Sequence, residues 1–443
     1  MSASDAPLHI GMTLTPTWLS GEAWRRPDSG VEGLMGQDYY IDIARRAEAA
    51  KLDFVFRPDT LAVNMGLLGR GAGMAGLDPT LLLCAIAHAT SRIGLLTTVS
   101  TTFYPPYILA RMLMSLHWLS GGRAGWNIVT ALDGQRNFSL EDMPSPEDRY
   151  TRAAEVTEIV TRLWDSFPGD AWQPDRETGQ FVRAELVRPI HFKGTYYSVE
   201  GPLGVPNMGA ATGACRIPLV QAGASEAGRD FASRVADATF ASTPDMEAAI
   251  ELRRDLRRRA RAHGRPEDAV RLMPGLSLYL AATEAEAREL YRATHAGADE
   301  ARKLANIREM TGLDLSGWPK DRRIRASDLP PAPQKVRSRT HAALLRRAIE
   351  RQEPTLAELL NAPEVMGSAH WQVIGTPGQA MDAIRTWRAA GALDGFILFP
   401  GGSVDAMHLC LDTLAPALSD AGLLRREYAG STFASHFERP LPV

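Results

Sequence analysis

Strand-like and helix-like stretches alternate along this chain almost from end to end, and few folds accept that rhythm. LHIGMTL (8–14) reads as a strand, and DYYIDIARRAEAAK (38–51) as a helix with Tyr40, Ile43, Ala44 and Ala47 on one face. FVFRPD (54–59) is a short strand stopped by Pro58. DPTLLLCAIAHAT (78–90) is a helix with Asp78 as N-cap and Pro79 in its first position. IGLLTTVS (93–100), the helix PPYILARMLMSLHWLS (105–120) and the strand AGWNIVTA (124–131) follow. After the helix PEDRYTRAAEVTEIVTRLWDSF (146–167) and a hairpin at 191–202, the alternation resumes. Strands are expected at 217–223, 238–243, 271–283 and 394–400, with helices at 225–237, 245–264, 376–391 and 403–422.

About eight strands, each followed by a helix, predict an α/β fold of the (β/α)8 TIM-barrel class with insertions, a single domain over 1–443. A doubly wound open sheet is the rival, but no GxGxxG follows the first strand. The segment 298–370 is charged and dotted with proline, too long for a simple loop, and is expected to be a partly helical insertion or lid.

A net charge of −3 gives no reason to expect nucleic acid or anionic lipid as a partner. Cys84, Cys215 and Cys410 are scattered and odd in number, which suits a reducing compartment. No apolar run approaches the roughly 20 residues of a membrane span, and the N-terminus lacks a signal-peptide pattern, so a soluble cytoplasmic protein is expected. The arginine-rich stretch 252–265 has no interleaved aromatics and reads as a solvated helix face.

In such barrels chemistry sits where the strands end. Strand two ends in Arg57, Pro58 and Asp59; strand three carries Thr97, Thr98, Ser100, Thr101 and Thr102; strand four carries Asn127 and Thr130; strand five runs into QAGASEAG (221–228). His9 stands without a His-x-His partner, and no lysine falls on a predicted barrel strand, which argues against a metal hydrolase or a Schiff-base aldolase. A site of hydroxyls and amides with one carboxylate suits a cofactor that brings its own reactivity. In QAGASEAG, small residues expose backbone N–H groups at a helix start, so Ser225 either caps the helix or holds an anion there. SGGRAGWNIVT (120–130) crowds three glycines before Asn127, read as a tight turn into strand four, with Trp126 packing between strand and helix.

LSGGRAGWNIVTA, IGLLTTVSTTFYPPYILAR, EDRYTRAAEVTEIVTRLWDSF, KGTYYSVEGPLGVP, IPLVQAGASEAGRDFASRVAD and GLLRREYAGSTFASHF resemble, in order and spacing, the nitrilotriacetate monooxygenase component A family of luciferase-like flavin monooxygenases. The resemblance implies a barrel that binds reduced FMN (FMNH2) from a separate NAD(P)H:flavin reductase. The flavin reacts with O2 to a C4a-peroxide that oxygenates a small organic substrate, and members are homodimers or homotetramers. It also implies roles: Asp59 near the flavin ring, Thr98 along it, Asn127 as a ring-side amide, and Tyr150, Ser225, Gly223 and Ala224 around the phosphate. Pro146 stands where the family often has histidine, and Arg57-Pro58 where it tends to have Leu-Ala; Arg57 either adds charge near the pocket or pairs with Asp59. A deazaflavin-dependent oxidoreductase and a non-catalytic flavin-binding protein are the alternatives.

Overall fold

The β-rich runs of the first third become four parallel strands in a computed structural model that describes residues 6–437 apart from 64, 66, 67, 73–75, 210–215, 335, 337 and 368. Cys215 therefore lies outside the described residues. Strands β1 (His9–Thr13), β2 (Phe54–Arg57), β3 (Gly94–Ser100) and β4 (Ala124–Val129) alternate with helices α1 (Gln37–Ala49), α2 (Pro79–Ala89) and α3 (Pro106–Leu119), and α4 (Pro146–Asp165) follows. The expected hairpin is present as β5 (Phe192–Lys193) and β6 (Ser198–Val199). Then come β7 (Leu219–Ala222), α5 (Glu226–Val235), β8 (Ala238–Ala241), α6 (Met246–Ala262) and the long β9 (Arg271–Leu280).

Helices α7 (Glu284–Thr294), α8 (Glu300–Thr311), α9 (Arg339–Gln352), α10 (Leu356–Leu359) and α11 (Pro363–Met366) precede β10 (Trp371–Gly375), α12 (Pro377–Ala389) and β11 (Gly395–Pro400). The chain closes with α13 (Val404–Leu409), a π-turn over Cys410–Leu414, α14 (Ala415–Asp420) and α15 (Phe433–Phe437). Among the described residues no helix is long and apolar enough to cross a membrane.

Eight parallel strands close in the order β9-β11-β1-β2-β3-β4-β7-β8, and β8 pairs back onto β9, so the predicted (β/α)8 barrel forms. β10 was not anticipated. It pairs with Leu276–Leu280, beyond the point where β8 stops pairing with β9 at Pro274. Its five residues are too few for a clear period, so the run carries no assignment between the insertion expected at 298–370 and the helix expected at 376–391. The segment 298–370 is packed rather than loose. Ile307, Leu315, Ile324, Leu345, Ile349 and Leu359 form a separate apolar core. Arginines of α9 reach barrel helices, with Arg339 on Glu147 at 3.3 Å and Arg347 on Glu251 at 2.8 Å. The arginines of the stretch 252–265 do more than meet solvent: Arg253 of α6 grips Asp394 at 2.6 Å, and Arg265, just past the helix, donates to the Ser233 and Ala236 carbonyls.

The glycine-rich entry to β4 has a sharper cause than a tight turn. Gly121 and Gly122 do turn the chain, at φ 67° and 92°. Gly125 faces into the barrel, where a Cβ would lie 2.3 Å from the ring of Phe433, and a Cβ on Gly94 would lie 2.5 Å from the same ring. The C-terminal helix α15 thus enters the base of the barrel. Phe433 is fully buried, packs on Phe54 and Phe437 with centroids 5.2 and 5.1 Å away, and donates its N–H to the Gly122 carbonyl. Trp126 packs as expected, edge-on to Trp164 of α4, with its indole N–H on the Val99 carbonyl.

A buried ionic latch holds the tail there. Fully buried Asp53 accepts from the Ile10 N–H at 2.8 Å and pairs with His9 and Arg425. The backbone carbonyl of Asp53 meets Nδ1 of His436 at 2.9 Å. Burial alone would raise the Asp53 carboxyl, but Arg425, His9 and His436 outweigh it and hold it below the ordinary range. Burial pushes His436 down to about 4.

Two predictions follow from this plug. Gly125→Ala forces methyl against ring and costs about 1–3 kcal/mol, and Phe433→Ala about 3–5 kcal/mol. In a urea-unfolding double-mutant cycle the pair costs clearly less than the sum; strict additivity would mean that the two sites do not touch. His436 is neutral when folded and binds a proton more readily unfolded, so its contribution is complete above about pH 6.5 and is lost as pH falls towards 4. Replacing it with asparagine, whose amide keeps the donor, makes the acid limb of stability shallower by up to ~1.4 kcal/mol per pH unit over that window. An unchanged slope would show that His436 does not titrate with folding.

Candidate flavin site

With its base filled by phenylalanines, the barrel keeps its inward-facing polar residues towards the C-terminal ends of its strands. Thr98 of β3 and Asn127 of β4 are register partners facing inward above Leu96 and Gly125. The Asn127 amide donates to Thr98 Oγ1 at 2.9 Å, which leaves Asn127 Oδ1 enclosed with no partner. An orphaned buried acceptor costs about 1–3 kcal/mol, so this amide is poised for a donor that the protein does not supply. Thr97, one residue earlier, points outward and bonds Thr80 of α2 instead, at 2.9 Å.

Tyr150, Gly223, Ala224 and Ser225 come together at the start of α5. Ser225 Oγ caps the helix, accepting from the Gly228 N–H at 3.2 Å. Tyr150 reaches the same turn from α4: a Cβ added to Gly228 would lie 2.7 Å from the Tyr150 hydroxyl and 3.1 Å from Ser225 Oγ. Gly223 has φ 145°, a conformation that side chains resist, and a Cβ there would also crowd Tyr150, at 3.1 Å. Two hydroxyls thus converge on a glycine-lined helix N-terminus whose N–H groups and dipole favour an anion. Of the two readings of Ser225 the capping one is realised, and a capping hydroxyl can still donate its own proton.

Beside this turn opens a cavity of about 740 Å³ between the barrel and α9, lined by Ala224, Ser225, Thr243, Arg229, Arg339 and Arg347 among others. Thr243 is almost fully buried and its hydroxyl has no partner. Thr98, Asn127 and Asp59 do not line this cavity; Thr98 and Asn127 face the barrel interior, and Asp59 follows β2.

Asp59 stands just past β2, half-buried. Burial raises its pKa, the Thr60 N–H pulls it down, neighbouring Asp78 raises it, and Arg57 lowers it; the net shift is upward. Arg57 does not form an ion pair with Asp59. Arg57 is the register partner of outward-facing Thr97; its guanidinium donates to the Leu14 carbonyl at 2.9 Å and sits 5.6 Å from the centre of the Tyr40 ring on α1. Pro146 is the first residue of α4 and lines the same cavity as Ser225.

One residue of the mouth escaped sequence reasoning. His370, immediately before β10, lays its imidazole over inward-facing Gly275 of β9, between Phe240 and Phe399. Nothing in the sequence marks a histidine at the end of a long insertion; a glycine inside the β9 run was the one available signal.

The residues fit FMN on structural grounds: an anion-ready helix start with two hydroxyls for a phosphate, and a hydroxyl–amide wall with an unused acceptor for a polar ring. Comparison with known proteins bears on the family. The luciferase-like monooxygenase family model matches residues 17–394. The chain is 34% identical to N-acetyl-S-(2-succino)cysteine monooxygenase of Bacillus subtilis (strain 168), over 100% of this chain and 99% of that protein. It is 32% identical to nitrilotriacetate monooxygenase component A of Aminobacter aminovorans, over 98% and 96%. The structure superposes on that of a riboflavin lyase holding modified FMN and riboflavin, with a TM-score of 0.81 at 27% identity over 97% of this chain and 95% of the other. A barrel of this topology, a matching family model and full-length relatives lead to one conclusion: the chain belongs to the luciferase-like monooxygenases, in the branch that includes nitrilotriacetate monooxygenase component A.

Proposed function

We propose that this protein is the oxygenating component of a two-component system, taking FMNH2 from a separate NAD(P)H:flavin reductase and using O2 to oxygenate a small organic substrate. The observation that carries the reading is the meeting of the Tyr150 and Ser225 hydroxyls at one glycine-lined helix start. A relative whose name is component A supports the separate reductase, and a structural neighbour holding modified FMN supports the flavin.

When bound, reduced FMN supplies the oxygen-activating chemistry at C4a of its ring; the chain's residues bind, orient and exclude water. Tyr150, Ser225 and the N–H groups after Gly223 and Ala224 hold the phosphate. Thr98 lies along the ring, and Asn127 Oδ1 accepts from a ring N–H. Asp59 stands at the rim, its raised pKa easing protonation beside an electron-rich ring. The 298–370 insertion, packed against the phosphate-side cavity, shields that end of the ligand. The same reading makes the protein cytoplasmic, where a reductase keeps the flavin reduced, and a homodimer or homotetramer.

Anaerobic titration separates phosphate from ring. Ser225→Ala and Tyr150→Phe each weaken FMNH2 binding about tenfold, the scale of a hydrogen bond to a charged group, and leave reduced riboflavin binding unchanged. With oxygen, a flavin reductase, NADH and a panel of sulfonates, sulfones, amines and alkanes, the wild type yields an oxygenated product from at least one compound. Variants that bind FMNH2 as tightly as wild type, or lose riboflavin equally, would remove the phosphate assignment.

A further inference from the structure

The pairings around the barrel fix what faces Thr98. In one direction Thr98 leads through Asn127, Val220 and Ala238 to Arg271 on β9. In the other, Leu96 leads through Phe56 to Thr13, one residue past the row Met12, Leu398, Leu276. That route therefore takes Leu96 to the level of Ser277 and Thr98 to that of Tyr279. The two routes land eight residues apart, the shear expected of an eight-stranded barrel. Gly275 lies midway between them, on the strand diametrically opposite β3, so it is level with Thr98 across the barrel.

His370 occupies the space that a side chain at Gly275 would take: a Cβ there would lie 2.6 Å from Nδ1. The ring is wedged between Phe399 and Phe240, with centroids 4.6 and 5.5 Å away. Nδ1 is enclosed with no partner, while part of the residue stays accessible. Burial, with His341 adding repulsion, pushes its pKa down to about 3, so the ring is neutral. A proton on enclosed Nδ1 would waste a hydrogen bond, which places it on Nε2. The interior of such a barrel is only wide enough for side chains to fill. A planar ring entering at this level therefore meets both walls.

We propose that His370 is the hydrogen-bond donor on the far wall of the flavin cavity, its Nε2–H directed at a carbonyl oxygen of the ring held by Thr98 and Asn127. This rests on the flavin reading above. It assigns to an element outside the regular β/α alternation a contact with the ring itself.

The test uses the full-length protein and oxidised FMN as probe. Diethyl pyrocarbonate acylates the unprotonated nitrogen of neutral imidazole; with no flavin bound, exchange of the His370 tautomers frees Nε2 for labelling, read by peptide mass spectrometry, and saturating FMN is expected to spare it. His370→Phe keeps the aromatic packing and removes the donor; it is expected to weaken FMNH2 and reduced riboflavin alike, about fivefold, with an unchanged melting temperature. His370→Gln restores most of the loss through its side-chain amide. Equal loss of both flavins distinguishes a ring contact from the phosphate contact of Ser225. Labelling of His370 that bound FMN does not reduce, or wild-type flavin affinity in His370→Phe, would overturn the proposal. Failure of the wild type to bind either flavin would instead sink the proposed function, on a measurement that does not involve His370, and this proposal with it.

Discussion

The structure turns on one aromatic ring. Phe433, near the end of the described chain, reaches back into the base of a barrel begun more than 400 residues earlier, and the strands make room by carrying no side chain at Gly94 and Gly125. Burying such a ring contributes about 1.5–3 kcal/mol. Its greater effect is topological: the end of the barrel that α15 fills is unavailable to a ligand. The latch of Asp53, His9, Arg425 and His436 makes that arrangement specific. Each charge in it is paired, as burial demands, and removing one partner would strand the rest.

With the base sealed, the residues that matter are those in the upper interior. The sheet divides them between two walls. Thr98 and Asn127 present hydroxyl and amide from β3 and β4, while Phe240, Phe399 and His370 face them from β8, β11 and the segment before β10. The phosphate-side cluster lies apart, at the start of α5, where Tyr150 arrives from α4. An elongated ligand with an anion at one end and a flat polar ring at the other matches that layout.

Much of this was legible in the sequence because it depends on local patterns. The alternation of strands and helices, the caps Asp78 and Ser225, and the hairpin at 191–202 rest on periods and turn chemistry of a few residues. The helix start at α5 was legible in the same way, since QAGASEAG exposes it by itself; the place of Tyr150 beside it came only from the family resemblance. What stayed hidden depends on distance along the chain. Gly125 looked like a turn glycine because Phe433 is more than 300 residues away. Arg57 was weighed as a charge near the pocket or as a partner of Asp59, and it bonds the carbonyl of Leu14, just past β1. β10 and His370 were absorbed into a long interruption, because five residues show no period and a lone histidine carries no pattern. The insertion's own core was invisible for the same reason: Ile307, Ile324 and Leu345 meet only after the chain folds back.

A crystal grown with FMN tests the central claim most directly, because the claim concerns where one molecule sits in one barrel. The account predicts density for the phosphate at the start of α5 between the Tyr150 and Ser225 hydroxyls, with the ring in the mouth between Thr98 and His370 and Phe433 still seated in the base. Flavin on the outer face of the barrel, or a ring that displaces Phe433, would contradict it.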